Sequence, residues 1–471
     1  MINSAKNKEF VNDFWDKTII PILSKYISIP CKSIDYDPNW QTSGYLAKAA
    51  ALIAEWIKSQ NLPGISTEIV SLQGKTPLIF VDIPASTKEL ADKTVVFYGH
   101  FDKMPESEGW SEGFGPWTPV LKNDLLYGRG GVDDGYAAFL PIAVIKSLHE
   151  QKIAYPRCVM LLESAEESGS IGFMDYVHHL KNKIGEPTII AVMDAGGEDY
   201  DHMWCTTSLR GMVDGILKVE VLTRAVHSGM GTGIIPSSFR ILRELLSRVE
   251  NEKTGELLPE FSVSIPNERV EQAKLIAKII GKKLYTSQPF AEGVKPVTEK
   301  LEELVLNSTW RSGLEVISME GFPPIANAGN VIRPTTSAKI SVRLPPNCDP
   351  TKVGELLKKT FETKVPYDAK VTFTPGSGIA GWNAPTMEKS LIDAINIASK
   401  TYFGNEVAHV GCGGSIGIVQ MLGEVYPSTK FIITGAEGPG SNGHGPNESL
   451  NVAAAKKLTC CMSHILASYF K

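Results

Sequence analysis

Val95-Val96-Phe97-Tyr98-Gly99-His100-Phe101-Asp102 is four apolar residues in unbroken succession, then a glycine, then a histidine and an aspartate. An apolar run that does not alternate with polar residues reads as a strand covered on both faces. Leu78–Val81, Cys158–Leu162 and Ile189–Met193 are runs of the same kind. Ala137–Leu148 and Ile171–Leu180 lie between such runs and have helical texture. Strand alternating with helix predicts an α/β domain with a largely parallel sheet. Ligands of open α/β sheets bind beyond the carboxyl ends of the strands. Those ends carry His100 and Asp102, then Glu166-Glu167 after the third run, then Asp194 after the fourth. Gly128-Arg129-Gly130-Gly131-Val132-Asp133-Asp134-Gly135 adds a glycine-rich loop that enters a helix with two carboxylates at the join.

Working outward, apolar residues at helical period predict an opening helix over 8–26 and another over 44–59. The texture changes near Leu209-Arg210-Gly211. Val213–Val221 and Ala338–Leu344 alternate apolar and polar positions, as strands with one wet face do. Helices are expected at about 237–250, 297–306 and 351–362, with a further alternating strand at Ala369–Phe373. Beyond Gly381-Trp382 a helix at 387–402, an apolar run Phe431–Thr434 and a helix at 450–469 return to the first texture. A chain of 471 residues exceeds one ordinary core. The expected division is therefore a discontinuous first domain, 1–207 with 382–471, and an inserted α+β domain, 208–381.

Composition excludes several classes. Charged residues are 21% and the net charge is −5, with Lys and Arg scattered, so no footprint for nucleic acid is visible. The opening residues are too polar for a secretory signal core, and no run nears the ~20 apolar residues of a membrane helix. Seven cysteines without CxxC spacing argue against a disulfide framework or a thiolate zinc cluster. Free thiols in a reducing cytoplasm are the expectation.

Each charged element has an ordinary explanation taken alone. Glu166-Glu167 reads as a solvated turn, Asp133 or Asp134 as an N-cap, and His100 as a satisfied core histidine. Their coincidence at successive strand ends is harder to obtain by packing, because buried charge must be paired or metal-bound. Histidine and carboxylates without cysteine suit Zn²⁺, Mn²⁺ or Co²⁺. Two such ions about 3.5–4 Å apart activate a water and polarise a carbonyl. One glutamate of an adjacent pair can then serve as general base while its neighbour ligates.

With these motifs in view, the chain resembles the M20 metallopeptidases, and within them the cytosolic non-specific dipeptidases and carnosinases. The resemblance rests on Gly99-His100-Phe101-Asp102, Tyr127-Gly128-Arg129-Gly130 with Asp133-Asp134-Gly135, Glu166-Glu167-Ser168-Gly169-Ser170, Asp194, His227-Ser228-Gly229 and Gly443-His444. Trp117-Thr118-Pro119, Leu209-Arg210-Gly211, Arg343-Leu344-Pro345 and Gly413-Gly414-Ser415 support it across nearly the whole chain. It implies a three-layer zinc-exopeptidase-like catalytic domain and an inserted ferredoxin-like domain that dimerises and acts as a lid. It also implies that Asp133 bridges two metals, with His100 and Asp194 completing one site and Glu167 and His444 the other. Glu166 would be the general base, and Asp102 would orient the His100 ring. His227 would reach the partner subunit's site and stabilise the oxyanion. Arg343 would hold the substrate carboxylate, assisted by Asn330 and Ser415.

Two departures from the branch stand out. Cys412 occupies the position, just before Gly413-Gly414-Ser415, where the dipeptidases often carry an acid. Glu198-Asp199-Tyr200-Asp201-His202 also reads differently and offers other acids. The expected activity is amide hydrolysis of dipeptides or similar small peptides by a cytoplasmic homodimer. N-acyl amino acid deacylation is the alternative within the enzyme class, and a non-catalytic peptide-binding scaffold is the alternative outside it.

Overall fold

The run that begins at Val95 is the strand Thr94–His100, buried at every residue. It pairs in parallel with Arg157–Glu163 on one side, which sets His100 opposite Glu163. On the other side it pairs in parallel with Ile189–Val192, and Lys430–Ile433 continues in the same sense. Both flanks are antiparallel: Leu78–Ile83 and Ser66–Val70 on one side, and Trp204–Leu209, through Thr206 against Ile433, on the other. The sheet is thus parallel only through its central strands, which corrects the expectation of a largely parallel one.

Both faces of this sheet are covered, which is why its strands do not alternate. Val95 and Phe97 share one core with Ile53, Ile142, Leu458 and Ile465 of the helices Tyr45–Ser59, Leu140–Glu150 and Val452–Tyr469. On the other face the Tyr98 ring meets Phe173, the first residue of the helix Phe173–Ile184, edge to face at 5.5 Å. The result is a three-layer sandwich. Trp15 is fully buried in the first core and its indole N–H donates to Thr459 Oγ1 at 2.9 Å, as a buried indole requires.

The computed structural model describes residues 2–471. By contact they form two compact units. The first takes the chain up to Thr206 with Pro385–His409 and Met421–Lys471; the second takes Thr207–Ala384 with Val410–Gln420. Ser415 and Cys412 therefore group with the second unit. The opening helix is not continuous. Ser4–Phe14 and Ile20–Ile27 are α-helical, and a π turn over Trp15–Ile19 joins them. Pro21, in the first turn of the second piece, lacks an N–H and would crowd the carbonyl one turn back, and a π turn absorbs that conflict.

In the second unit an antiparallel sheet runs Gly313–Glu320, Thr335–Leu344, Gly211–Glu220, Lys370–Ile379. Along Gly211–Glu220 burial alternates with every second residue. The buried set, Val213, Leu217 and Val219, packs on Leu242 and Leu245 of the helix Ser238–Leu246 and on Val353 and Leu357 of Pro350–Glu362. Strand–helix–strand–strand–helix–strand in this order is ferredoxin-like. The helix expected at 297–306 begins later, at Leu301–Thr309. Asn267–Ile280, a helix the sequence reading passed over, precedes it.

Candidate metal centre

The carboxyl ends of the central strands and the glycine-rich loop converge within the first unit. His100, Asp133 and Asp194 each place one ligand atom within 4.8 Å of the others, and so do Asp133, Glu167 and His444. Asp133 belongs to both groups. Its Oδ1 lies 3.1 Å from His100 Nε2 and its Oδ2 lies 2.9 Å from His444 Nε2. Glu167 Oε2 is 3.1 Å from that same His444 nitrogen, and Asp194 Oδ1 is 3.8 Å from His100 Nε2. One carboxylate with an oxygen toward each of two histidines is the arrangement a bridging ligand needs.

The electrostatics tests whether a cation fits. Burial pushes the Glu166 carboxyl well above its ordinary range, with the neighbouring Asp194 adding to it. Burial likewise raises Glu167 to about 7, with Asp133 contributing, and Asp194 to about 6. The histidines are driven the same way: hydrogen bonds to Asp133 and then Glu167 lift His444 to about 11. For His100 burial opposes the charge, yet hydrogen bonds to Asp102 and Asp133 raise it well above 6.5. Asp133 alone moves down; burial raises it, but hydrogen bonds from both histidines outweigh that. Carboxyls that resist ionising and imidazoles that hold protons mark a pocket short of positive charge. Divalent ions coordinated by nitrogen and oxygen supply what it lacks, so the donor set fits the implied metals.

Asp102 does more than the sequence suggested. Its Oδ1 is 3.4 Å from His100 Nδ1, and its carboxylate also accepts the backbone N–H groups of Glu166 at 3.2 Å and Glu167 at 3.1 Å. It fixes the glutamate pair as well as the imidazole. Neither aspartate of the 133–134 pair caps a helix through its side chain; Asp134 precedes the 3-10 turn Gly135–Ala138 without a side-chain capping bond. Asp134 is fully buried instead, and its Oδ2 accepts the His100 N–H at 3.3 Å. Tyr136 carries no motif signal, yet its hydroxyl donates to the carbonyl of Met193, next to Asp194, and accepts the Ala436 N–H at 3.0 Å.

The remaining candidates lie in the second unit. His227 and Val331 pair in a two-stranded ribbon, and the Ser228 N–H donates to the Asn330 carbonyl at 2.9 Å. Arg343 and Arg210 line one cavity of about 1100 Å³ with Trp310, Arg311 and Lys300. Burial, and secondly the Arg343 charge, depress Arg210 to about 10. Ser415 Oγ donates to the Arg210 carbonyl at 2.5 Å.

In sequence and fold the chain is similar to known dipeptidases. Beta-Ala-His dipeptidase of Rattus norvegicus is 24% identical over 467 residues, 93% of this chain and 90% of its own. Cys-Gly metallodipeptidase dug1 of Schizosaccharomyces pombe is 26% identical over 403 residues, 80% of each chain. Cysteinylglycine-S-conjugate dipeptidase of Corynebacterium striatum is 22% identical over 390 residues, 80% of this chain and 81% of its own. In fold, human carnosine dipeptidase 1 superposes with a TM-score of 0.75 at 20% identity, over 100% of this chain and 99% of that one. The Dug1p di-peptidase of Saccharomyces cerevisiae gives 0.72 at 20% identity, over 99% and 98%. Residues 96–468 match the family described as Peptidase family M20/M25/M40. With that match spanning both metal-ligand groups, the chain belongs to the M20/M25/M40 peptidase family.

Proposed function

We propose that the chain is a metallopeptidase that hydrolyses the amide bond of dipeptides and similar small peptides with two divalent ions. The observation that carries this is the pair of ligand groups sharing Asp133. The names of the similar proteins, dipeptidases acting on Cys-Gly and beta-Ala-His among them, support the substrate class. Zn²⁺ is the first candidate, with Mn²⁺ and Co²⁺ next. When bound, the ions lower the pKa of a water and polarise the scissile carbonyl. His100 and Asp194 would hold one ion, Glu167 and His444 the other, and Asp133 would serve both. Glu166, which belongs to neither ligand group, takes the proton from the attacking water and returns it to the leaving amine. Asp102 keeps the His100 ring and the glutamate turn in place.

The second unit supplies substrate contacts. Arg343 receives the substrate carboxylate, a role supported by three guanidinium side chains, those of Arg210, Arg311 and Arg343, in one cavity. Asn330 and Ser415 assist. His227 acts in the site of a second subunit, joined through the inserted domain. Support for this homodimer comes from Gly313–Glu320, which pairs only with Thr335–Leu344 among the described residues and exposes Val316, Ile317 and Met319. An apolar edge strand invites pairing with another chain. Cys412 favours one competing reading, deacylation of N-acyl amino acids, because it removes an acid that would meet a free amine. No helix among the described residues is long and apolar enough to cross a membrane.

Metal analysis with a substrate panel tests the proposal. The purified protein should hold about two divalent ions per chain, lose activity on chelation and regain it with Zn²⁺, Mn²⁺ or Co²⁺. Free dipeptides should be cut faster than N-acetyl amino acids. Full activity without metal would remove the mechanism, and a preference for N-acyl substrates would make the chain a deacylase.

A further inference from the structure

His444 has an unusual burden for a ligand. It sits on a loop rather than at a strand end, its side chain is 55% exposed, and its backbone is left-handed at φ 62°. Within its own turn a Gly445 N–H to Asn442 carbonyl bond at 2.9 Å and an Asn442 Nδ2 to Pro446 carbonyl bond at 3.5 Å close the loop, and Glu437 accepts the Gly443 N–H. What reaches it comes from far away in sequence. Arg129 Nη2 donates to the His444 carbonyl at 3.1 Å, and Ser107 Oγ donates to the same oxygen at 3.1 Å. The guanidinium also donates to the Pro105 carbonyl at 3.1 Å and to Ser107 Oγ at 3.0 Å.

Its last partner is Glu448 Oε2, at 2.5 Å, with both side chains buried. Glu448 turns back on the same loop: Oε1 accepts the Gly130 N–H at 2.8 Å, and its carbonyl accepts the Gly128 N–H at 2.9 Å. The loop so gripped leads into Asp133. One buried pair thus locks the segment that carries His444 to the segment that carries Asp133. Such a pair contributes little net stability compared with apolar residues of the same volume, since desolvation offsets the attraction. What a forked cation and a bidentate acid do supply is fixed geometry.

We propose that Arg129 and Glu448 are positioning residues that preset His444, and thereby set the metal affinity of the Asp133–Glu167–His444 group. The His100–Asp133–Asp194 group shares Asp133 but has no ligand on the His444 loop, so it depends on them less. This rests on the metallopeptidase reading but goes beyond it, because that reading needs only the ligands. A loop held before binding does not have to be ordered by the ion, so releasing the clamp lowers affinity at that one position.

Mn²⁺ titration of the full chain, counting free ion by electron paramagnetic resonance, tests it. Wild type should bind two ions and show a spin-coupled pair. Arg129→Lys keeps a charge beside Glu448 but cannot hold Pro105, Ser107 and His444 at once. It should weaken one of the two sites by roughly 10–100-fold, lose the coupled signal and weaken the other site far less. Its titration should resemble that of His444→Ala and not that of Asp194→Ala. Glu448→Gln should behave alike, and Ser107→Ala, which keeps the buried pair, should show a smaller loss at the same site and carries the test if the others fail to fold. Two sites of wild-type affinity in folded Arg129→Lys and Glu448→Gln, or equal weakening of both sites, would overturn the inference. A wild-type chain that binds no Mn²⁺ would instead remove the metallopeptidase reading on which it depends.

Discussion

Glu166 and Glu167 show how far two identical neighbours can diverge. Both backbone N–H groups are fastened to the Asp102 carboxylate, so the short turn that bears them has little freedom. From that common anchor Glu167 reaches His444 Nε2 at 3.1 Å, whereas Glu166 belongs to neither ligand group. Their substitutions should therefore fail in different ways. Glu166→Gln should lose about 10²–10⁴-fold in kcat, the usual size of general-base catalysis, while retaining its metal. Glu167→Gln should lose metal from one site. Elemental analysis beside kinetics separates the cases, and metal loss in the Glu166 variant alone would exchange the two roles. The dipeptide Glu-Glu was legible as a pair with two tasks. Which residue takes which rests on the resemblance, and the Asp102 anchor that holds both became visible only in the structure.

At the scale of elements, the strand Arg157–Glu163 ends on an acid that no motif draws attention to. Glu163 is buried beside the sheet's ligand-bearing end, where the Tyr98 hydroxyl donates to it at 2.6 Å and Ser170 Oγ at 2.9 Å. Burial raises it from 4.5 to about 8. A carboxyl whose folded pKa lies above its unfolded one binds more protons in the folded state between the two values. Stability contributed by this group is therefore greatest below about 4.5 and is lost as pH rises toward about 8. Glu163→Gln should flatten that part of the curve in metal-free protein, measured as urea midpoints from pH 5 to 8. A variant with the wild-type pH dependence would show that Glu163 does not titrate in this window. The apolar strands were readable because both their faces are dry, and Gly211–Glu220, Thr335–Leu344 and Lys370–Ile379 because one is wet; Gly313–Glu320 was passed over because most of its residues are exposed. Trp204–Leu209 escaped for the opposite reason. Thr206, Thr207 and Ser208 are buried, so a strand on the flank of the sheet carries a polar composition.

For the whole molecule, the decisive question is whether one chain makes a complete active site. His227 belongs to the second unit, while Glu166 and the metal-ligand groups belong to the first. If His227 serves a partner, an isologous dimer repeats the exchange on both sides. His227→Ala and Glu166→Ala homodimers should each be nearly inactive. Unfolded and refolded together, half the dimers should be mixed, each with one intact site, which restores about a quarter of wild-type activity. Simple addition of the two residual activities, once mixed dimers have been demonstrated, would confine His227 to its own chain.

The sequence by itself determined the alternation of strand and helix, the inserted second texture between two stretches of the first, and the set of His, Asp and Glu donors that the structure brings together. Those features are local: period, run length and the residue just past a strand end depend on a few neighbours and on which faces stay dry. Only the tertiary structure decided that the Asp133 oxygens face two different histidines, that Asp134 is buried rather than capping a helix, and that Arg129 and Glu448 tie the His444 loop to the Asp133 loop. Arg129 and Glu448 are 319 positions apart. No spacing rule connects residues at that distance, because packing the sheet brings their loops together and hydrogen-bond geometry then selects the partners.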